Sequence, residues 1–316
     1  MIEVEHVSKN FGPIQAVRDI SFHVDTGEIL GFLGPNGAGK TTTMRILTGF
    51  YPPSSGRARV AGLDVLENSL AVRKKIGYLP ENVPLYGEMA VEEYLRFVSE
   101  VKGVPRLKRT EAVGRAMEYC RLEEVKRRYI RKISKGFRQR VGLAQALIGD
   151  PEVLILDEPT LGLDPRQINE IREVIKGFAG EKTVILSTHI LPEVSMTCQR
   201  VVIVDKGRVA AEDTPANLSL RLAGASRIKM RLSGPPDEIL SRLSGLPGVL
   251  RVDRGDGQGL YLIEVGSEVR DEAGPGLARA VCAWGWDLYE MTPLTVTLED
   301  VFLKLVTREE ETAADE

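Results

Sequence analysis

Apolar residues along this chain fall into two kinds of pattern, and their order predicts the fold. Three short runs, Ile29-Leu30-Gly31-Phe32-Leu33, Val153-Leu154-Ile155-Leu156 and Thr183-Val184-Ile185-Leu186, are nearly unbroken. Runs of this kind fill a parallel sheet buried on both faces. Helical patterns follow the first run at residues 41–47 and precede the second at 141–146. The stretch 102–140 is helical by pattern as well, and Met1-Ile2-Glu3-Val4-Glu5 starts a strand pattern. From about residue 226 the composition changes. Strands are predicted at 227–232, 249–253, 260–265 and 287–291, with helices at 237–243 and near 277–283. That order is βαββαβ, the ferredoxin-like arrangement. A last helix is expected from Thr297-Leu298-Glu299-Asp300 through Val306, a capping-box-like start, followed by a frayed acidic tail from 308 to 316. The 316 residues therefore suit one α/β domain of about 200 residues and a smaller α+β domain.

The turn after the first run reads Gly34-Pro35-Asn36-Gly37-Ala38-Gly39-Lys40-Thr41-Thr42. A buried strand that ends in a glycine-rich turn and opens a helix offers free N–H groups to an anion. The glycines let backbone amides approach phosphate oxygens with no Cβ in the way. Lys40 would reach the β- and γ-phosphates of ATP, and the Thr41 hydroxyl would sit on Mg²⁺. The second run ends in Asp157-Glu158. An aspartate at the carboxyl end of a central strand can hold Mg²⁺, usually through water, and the next residue points at the γ-phosphate region. Asp157 is therefore a metal candidate, and Glu158 the candidate general base for the attacking water.

Further motifs carry a family resemblance. Ile133-Ser134-Lys135-Gly136-Phe137-Arg138-Gln139-Arg140 looks like the signature motif of ABC-type ATPases, and Gly162-Leu163-Asp164-Pro165 resembles their D-loop. The third run ends at Thr188 and is followed by His189, where that family carries its switch histidine. Phe11 lies where the family places an aromatic ring against adenine. The motifs stand in the family's order over residues 1–215 and cover about two-thirds of the chain.

The resemblance implies a P-loop NTPase domain over residues 1–220, with a mixed sheet and a helical subdomain at about 85–150, and an accessory α+β domain over 226–316. It also implies head-to-tail pairs, each ATP held between the P-loop of one subunit and the signature motif of the other. Ser134 and the Gly136 N–H would clamp the partner's γ-phosphate, His189 would hold that phosphate and position the water, and Glu158 would accept its proton. The family usually places a glutamine after its Tyr-Leu-Pro-like strand; here Ile76-Gly77-Tyr78-Leu79-Pro80-Glu81-Asn82 puts Glu81 in the slot. Its carboxylate still offers oxygen to a hard cation but adds negative charge beside triphosphate. Lys135 and Phe137 replace the commoner glycine and glutamine of the signature. Lys135 is favourable if it faces the partner's phosphates and idle if it faces solvent. Both variants resemble the branch in which ATPase and permease are separate chains and the permease is usually an exporter, as does the Thr297–Phe302 ending.

Composition fits that picture. No window approaches the ~18 consecutive apolar residues a span needs, so the pore of a transporter must come from another polypeptide. The acidic N-terminus is no signal peptide. Cys120, Cys198 and Cys282 lack metal-like spacing and are odd in number, as expected of reduced thiols in a cytoplasm. The implied location is cytoplasmic, peripheral on the inner face of the cell membrane through the permease. A net charge of −3 hides an asymmetry: between Lys102 and Arg140 there are 14 Lys/Arg against four Glu. A basic face there suits an anionic membrane surface, an acidic partner, nucleic acid, or a plain solvated helical surface. His6 and His23 read as structural. Trp284 and Trp286 read as packing residues. The second domain has no catalytic cluster and could be a dimer contact, a docking surface or a small-ligand sensor.

Three function classes follow. The first is the ATP-hydrolysing subunit of a membrane exporter, paired with itself or a related ATPase, with no nucleic-acid partner. The second is a soluble ABC-type ATPase in nucleic-acid maintenance or translation, disfavoured because neither long heptad runs nor a second P-loop is present. The third is a non-catalytic nucleotide-binding regulator, disfavoured because Lys40, Asp157, Glu158 and His189 are all present.

Overall fold

The computed structural model describes residues 1–218, 225–255, 257–266 and 270–294. The chain divides into two compact units, Met1–Pro215 and Ala216–Glu316.

The first unit contains two sheets. Strands β1 (Ile2–Phe11), β2 (Ile14–Val24), β4 (Ser55–Val60) and β5 (Leu63–Asp64) form an antiparallel sheet in the order β2-β1-β4-β5. Strands β3 (Ile29–Leu33), β6 (Ile76–Leu79), β7 (Val153–Asp157), β8 (Thr183–Thr188), β9 (Arg200–Asp205) and β10 (Arg208–Asp213) form the other, in the order β10-β9-β3-β8-β7-β6. Only β10 runs antiparallel there, paired to β9 by the hairpin at Lys206-Gly207. Every residue of β3, β7 and β8 is buried, which is why their sequences are apolar runs and not alternations.

Helix α1 (Lys40–Leu47) lies between the sheets. Its Met44, Ile46 and Leu47 share one core with Ile2, Val24 and Val60 of the antiparallel sheet and Phe32, Ile155 and Ile185 of the parallel one. The Phe22 and Phe32 rings, 5.3 Å apart, bridge the two. A helical region follows: α2 (Ser69–Lys75), α3 (Val91–Val101), α4 (Arg109–Tyr119) and α5 (Lys135–Leu147). The α3 start is fixed by the Ala90 N–H donating to Glu93 Oε2 at 3.1 Å. Helices α6 (Pro165–Lys176) and α7 (Leu191–Thr197) complete the unit.

Register places the chemistry. Leu33 is level with Thr188 and Ile203, and Asp157 is level with Ser187. The carboxyl ends of β3, β8 and β7 therefore finish side by side, the edge where open α/β sheets bind ligands.

In the second unit, β11 (Ala225–Leu232), β12 (Val249–Arg254), β13 (Leu260–Gly266) and β14 (Leu288–Leu294) form a fully antiparallel sheet in the order β12-β13-β11-β14. Helices Pro236–Ser244 and Arg270–Ala283 give Ile239, Leu243, Leu277 and Val281 to a core with Ile228, Met230, Tyr261 and Ile263. This is the split βαβ arrangement. The second helix begins well before the expected 277, running through Gly274-Pro275-Gly276, although proline inside a helix is disfavoured. Trp284 and Trp286 pack edge to face at 5.0 Å against that core, with the Arg242 guanidinium over both rings. The helix expected at 297–306 and the tail at 308–316 lie outside the described residues. Among the described residues no helix is long and apolar enough to cross a membrane.

Candidate functional site

The loop between β3 and α1 curls through left-handed backbone at Gly37 and Gly39, with φ of 84° and 98°. A Cβ at Gly39 would lie 2.5 Å from the Ala16 carbonyl, so this close approach excludes any side chain. The loop walls a cleft of about 410 Å³ lined by Asn36, Gly37, Gly39, Lys40, Thr41, Thr42, Glu81, Glu158 and His189, together with Ala16 and Leu161. Most of the predicted phosphate, metal and catalytic residues thus meet in one place. Ala38 is turned inward, 2% exposed, and takes no part in the lining.

Lys40 is 6% exposed. Its Nζ donates to the carbonyls of Gly34 at 2.8 Å and Pro35 at 3.2 Å and stands 3.4 Å from Glu158 Oε1. The other carboxylate oxygen of Glu158, Oε2, is 2.9 Å from His189 Nδ1. Glu158 has left-handed backbone, φ 49°, held by its N–H donating to the Ser187 carbonyl at 3.0 Å. The carboxylate is therefore gripped from both sides at the wall of the cleft, where a water facing a γ-phosphate would lie.

Asp157 is fully buried behind Thr41. Its Oδ1 accepts from the hydroxyls of Thr41 at 3.3 Å and Ser187, while Oδ2 is buried without a partner. Burial pushes its pKa up, opposed by the two hydroxyls. The orphaned oxygen next to a threonine hydroxyl is a donor set of hard oxygens, which suits Mg²⁺ completed by water and phosphate. Among the described residues no group of three or more His, Cys, Asp or Glu forms an all-protein metal cage.

The signature residues gather elsewhere. Ser134 caps α5, its Oγ accepting from the Phe137 N–H at 3.3 Å, and Asp164 caps α6, accepting from the Gln167 N–H at 2.9 Å. With Gly136 they line a second cleft of about 350 Å³ that shares no residue with the first. Gly136 packs under Gln167, where a Cβ would sit 2.5 Å from Oε1. Lys135 is solvent-exposed, and its ammonium lies beside Gly162 of its own D-loop, which accords with the solvent-facing alternative. Phe11 also stands apart from the P-loop cleft: its ring, 40% exposed, meets Tyr51 edge-on at 5.3 Å with the Lys9 ammonium 5.1 Å from its centroid.

Sequence reasoning missed Ser187, Thr188 and Glu193. The signal was present for the first two, since polar residues that close a buried apolar strand must find partners. Glu193 gave no signal, because an acid in the first turn of a helix is ordinarily solvated.

Comparisons with known proteins place the chain in a family. A family model described as ABC transporter matches residues 17–161. The chain is 36% identical over 311 residues to Nod factor export ATP-binding protein I of Rhizobium sp. (strain N33), covering 98% of each chain. It is 34% identical over 250 residues to the linearmycin resistance ATP-binding protein LnrL of Bacillus subtilis (strain 168), covering 79% of this chain and 80% of that one. A solved ATP-binding subunit of an ABC transporter superposes with a TM-score of 0.63 at 31% identity, over 70% of this chain and 92% of that one. With a P-loop cleft that gathers Lys40, Glu158 and His189, and relatives that match it end to end, this chain belongs to the ABC transporter family as an ATP-binding, ATP-hydrolysing subunit.

Proposed function

We propose that the chain drives a membrane exporter, working on the cytoplasmic face as a head-to-tail pair, with itself or a related ATPase, bound to a separate polytopic permease. The observation that carries the hydrolytic part is the Glu158 carboxylate held between Lys40 and His189 at the wall of the P-loop cleft. Phosphates of ATP lie along the amides of Asn36 to Thr42, and Lys40 turns from its loop carbonyls to the β- and γ-oxygens. Glu158 takes the proton of the water that attacks the γ-phosphorus, giving ADP and inorganic phosphate. His189, its Nδ1 toward Glu158, keeps Nε2 for the γ-phosphate. Mg²⁺, which when bound neutralises charge on the phosphates, would be held by Thr41 and Asp157, with Glu81 at the edge of the same cleft.

The paired arrangement is supported by Ser134, Gly136 and Asp164 lying in a cleft apart from their own P-loop, so that a second subunit would bring its signature motif to this ATP. Phe11, at the far end of β1, is the proposed contact for adenine. Export is supported by the relatives, one of which is a Nod factor export ATP-binding protein. The test is an affinity pull-down from native membranes with Glu158→Gln and ATP, which holds the closed pair. A stoichiometric polytopic partner lacking its own P-loop is expected. Recovery of only soluble or nucleic-acid-bound material would overturn the transporter assignment and favour the maintenance class.

A further inference from the structure

Glu193 is a carboxylate in a place that ordinarily would be solvated, the first turn of α7, yet it is 4% exposed. Its Oε2 accepts from Thr188 Oγ1 at 3.1 Å, and the same hydroxyl accepts the Ile190 N–H at 3.0 Å. The turn that carries His189 is thus pinned on both sides, at the residue before it and the residue after it. On its other side the carboxylate meets the loop that follows Glu158. Burial is the largest influence and pushes its pKa up, while the Thr188 hydroxyl and the charge of Arg172 on α6 favour the ionised form; the Thr160 hydroxyl lies near the carboxylate without completing a well-formed hydrogen bond. Arg172 Nη1 reaches Met196 Sδ at 3.2 Å.

This junction is unusually poor in completed hydrogen bonds. Among the described residues six buried side-chain polar atoms lack a partner, and four are here: Thr160 Oγ1, Arg172 Nε, Glu193 Oε1 and, one turn along α7, Thr197 Oγ1. Buried polar atoms without partners are costly, and apolar side chains of the same volume would make a more stable packing. A polar cluster kept at that cost between the Glu158 loop and the His189 turn points to a role in the reaction.

We propose that Glu193 is a positioning residue for ATP hydrolysis, fixing the Thr188-His189-Ile190 turn against the loop that carries Glu158. The proposal rests on Glu158 and His189 acting together in hydrolysis. Without the carboxylate, the Thr188 hydroxyl is free to rotate, the turn loosens, and the 2.9 Å contact between His189 and Glu158 is no longer enforced. A misplacement of about 1 Å at a reacting group costs up to about a hundredfold in rate, whereas nucleotide affinity, set at the P-loop, is spared.

The experiment measures single-turnover hydrolysis of radiolabelled ATP and ATP affinity on the full chain, for Glu193→Ala and Glu193→Gln, each alone and with His189→Ala. Glu193→Ala should lower the rate about ten- to a hundredfold with ATP affinity within about twofold. Glu193→Gln, whose amide oxygen can still accept from Thr188, should recover part of the loss. With His189→Ala present, Glu193→Ala should cost nothing further, because its effect passes through the histidine. A wild-type rate for Glu193→Ala, or the same fold loss in both backgrounds, would overturn the proposal, the second by showing a general loss of structure. Should Glu193→Ala fail to fold, the near-isosteric Thr188→Val removes the same contact, and a wild-type rate there is equally fatal. Full turnover in His189→Ala alone would instead overturn the assignment of His189, before Glu193 is touched.

Discussion

Lys40 and Glu158 form an ion pair whose side chains are each 7% exposed, and without nucleotide that pair should be a stability element of its own. Lys40→Met removes the cation and leaves the Glu158 carboxylate buried. Losing one partner of a buried pair costs about 3–5 kcal/mol when nothing else compensates. Two features reduce that here. His189 Nδ1, 2.9 Å away, remains as a hydrogen-bond partner of the carboxylate, and the cleft is open to water on one side. We therefore expect a loss of about 2 kcal/mol, some 30-fold in the folding equilibrium.

Glu158→Gln should cost less, about 1 kcal/mol, because Lys40 keeps its two carbonyl acceptors at Gly34 and Pro35. The double variant removes both charges, so its cost should fall below the sum of the singles by about 1–2 kcal/mol. Urea unfolding followed by far-UV circular dichroism, without nucleotide, reads these differences. Tryptophan fluorescence supplies an internal control, because Trp284 and Trp286 are the chain's two tryptophans and both lie in the second unit. Their transition should not move. Wild-type stability for Lys40→Met, or strict additivity in the double variant, would show that the pair contributes nothing to the fold.

Glu158→Gln should also retain ATP affinity while lowering turnover by about 10²–10⁴-fold, checked by steady-state hydrolysis alongside nucleotide titration. Ser134→Arg should leave ATP binding intact and abolish cooperative turnover; a normal rate would refute the composite site. Burial, the largest single influence, would push Glu28 up, but the Arg200 guanidinium, at 2.8 and 3.0 Å from its two oxygens, and the Asp25 N–H donating to Oε2 at 2.8 Å together hold the carboxyl below the usual range. A depressed carboxylate pKa stabilises the fold above the unfolded value near 4.5 and loses that contribution as pH falls through the folded value. Glu28→Gln should therefore be less stable than wild type at pH 7, with the gap closing in acid, as read by thermal unfolding at stepped pH. A chain ending at residue 225 should keep the ATPase unit folded and able to bind ATP, since the core around α1 draws only on residues before Pro215.

What the sequence made legible, and what it did not, follows from the range of each interaction. Strands β3, β7 and β8 could be read because the middle of a strand buried on both faces is an apolar run, and the P-loop because its glycines answer a purely local backbone demand. The antiparallel sheet gave only a weak signal, since β1 and β2 are half exposed and carry bulges that interrupt alternation. The early start of helix Arg270–Ala283 was hidden by Pro275, whose cost as an isolated helix residue is overridden by packing of Leu277 and Val281 against the sheet.

The site divides along the same line. Lys40, Thr41, Asp157, Glu158 and His189 were legible because each stands at the end of a strand that announces itself. Their supports were not. Ser187 reaches Asp157 across 30 residues of sequence, and Glu193 reaches back to Thr160 across 33. Only the parallel register, Asp157 level with Ser187, brings those pairs together. Lys135 shows the limit most plainly. Its identity left open whether the charge faces phosphate or solvent, because a lone lysine carries no signal of direction; the left-handed Gly162, φ 70°, leaves room beside the D-loop of its own chain for an ammonium that stays exposed.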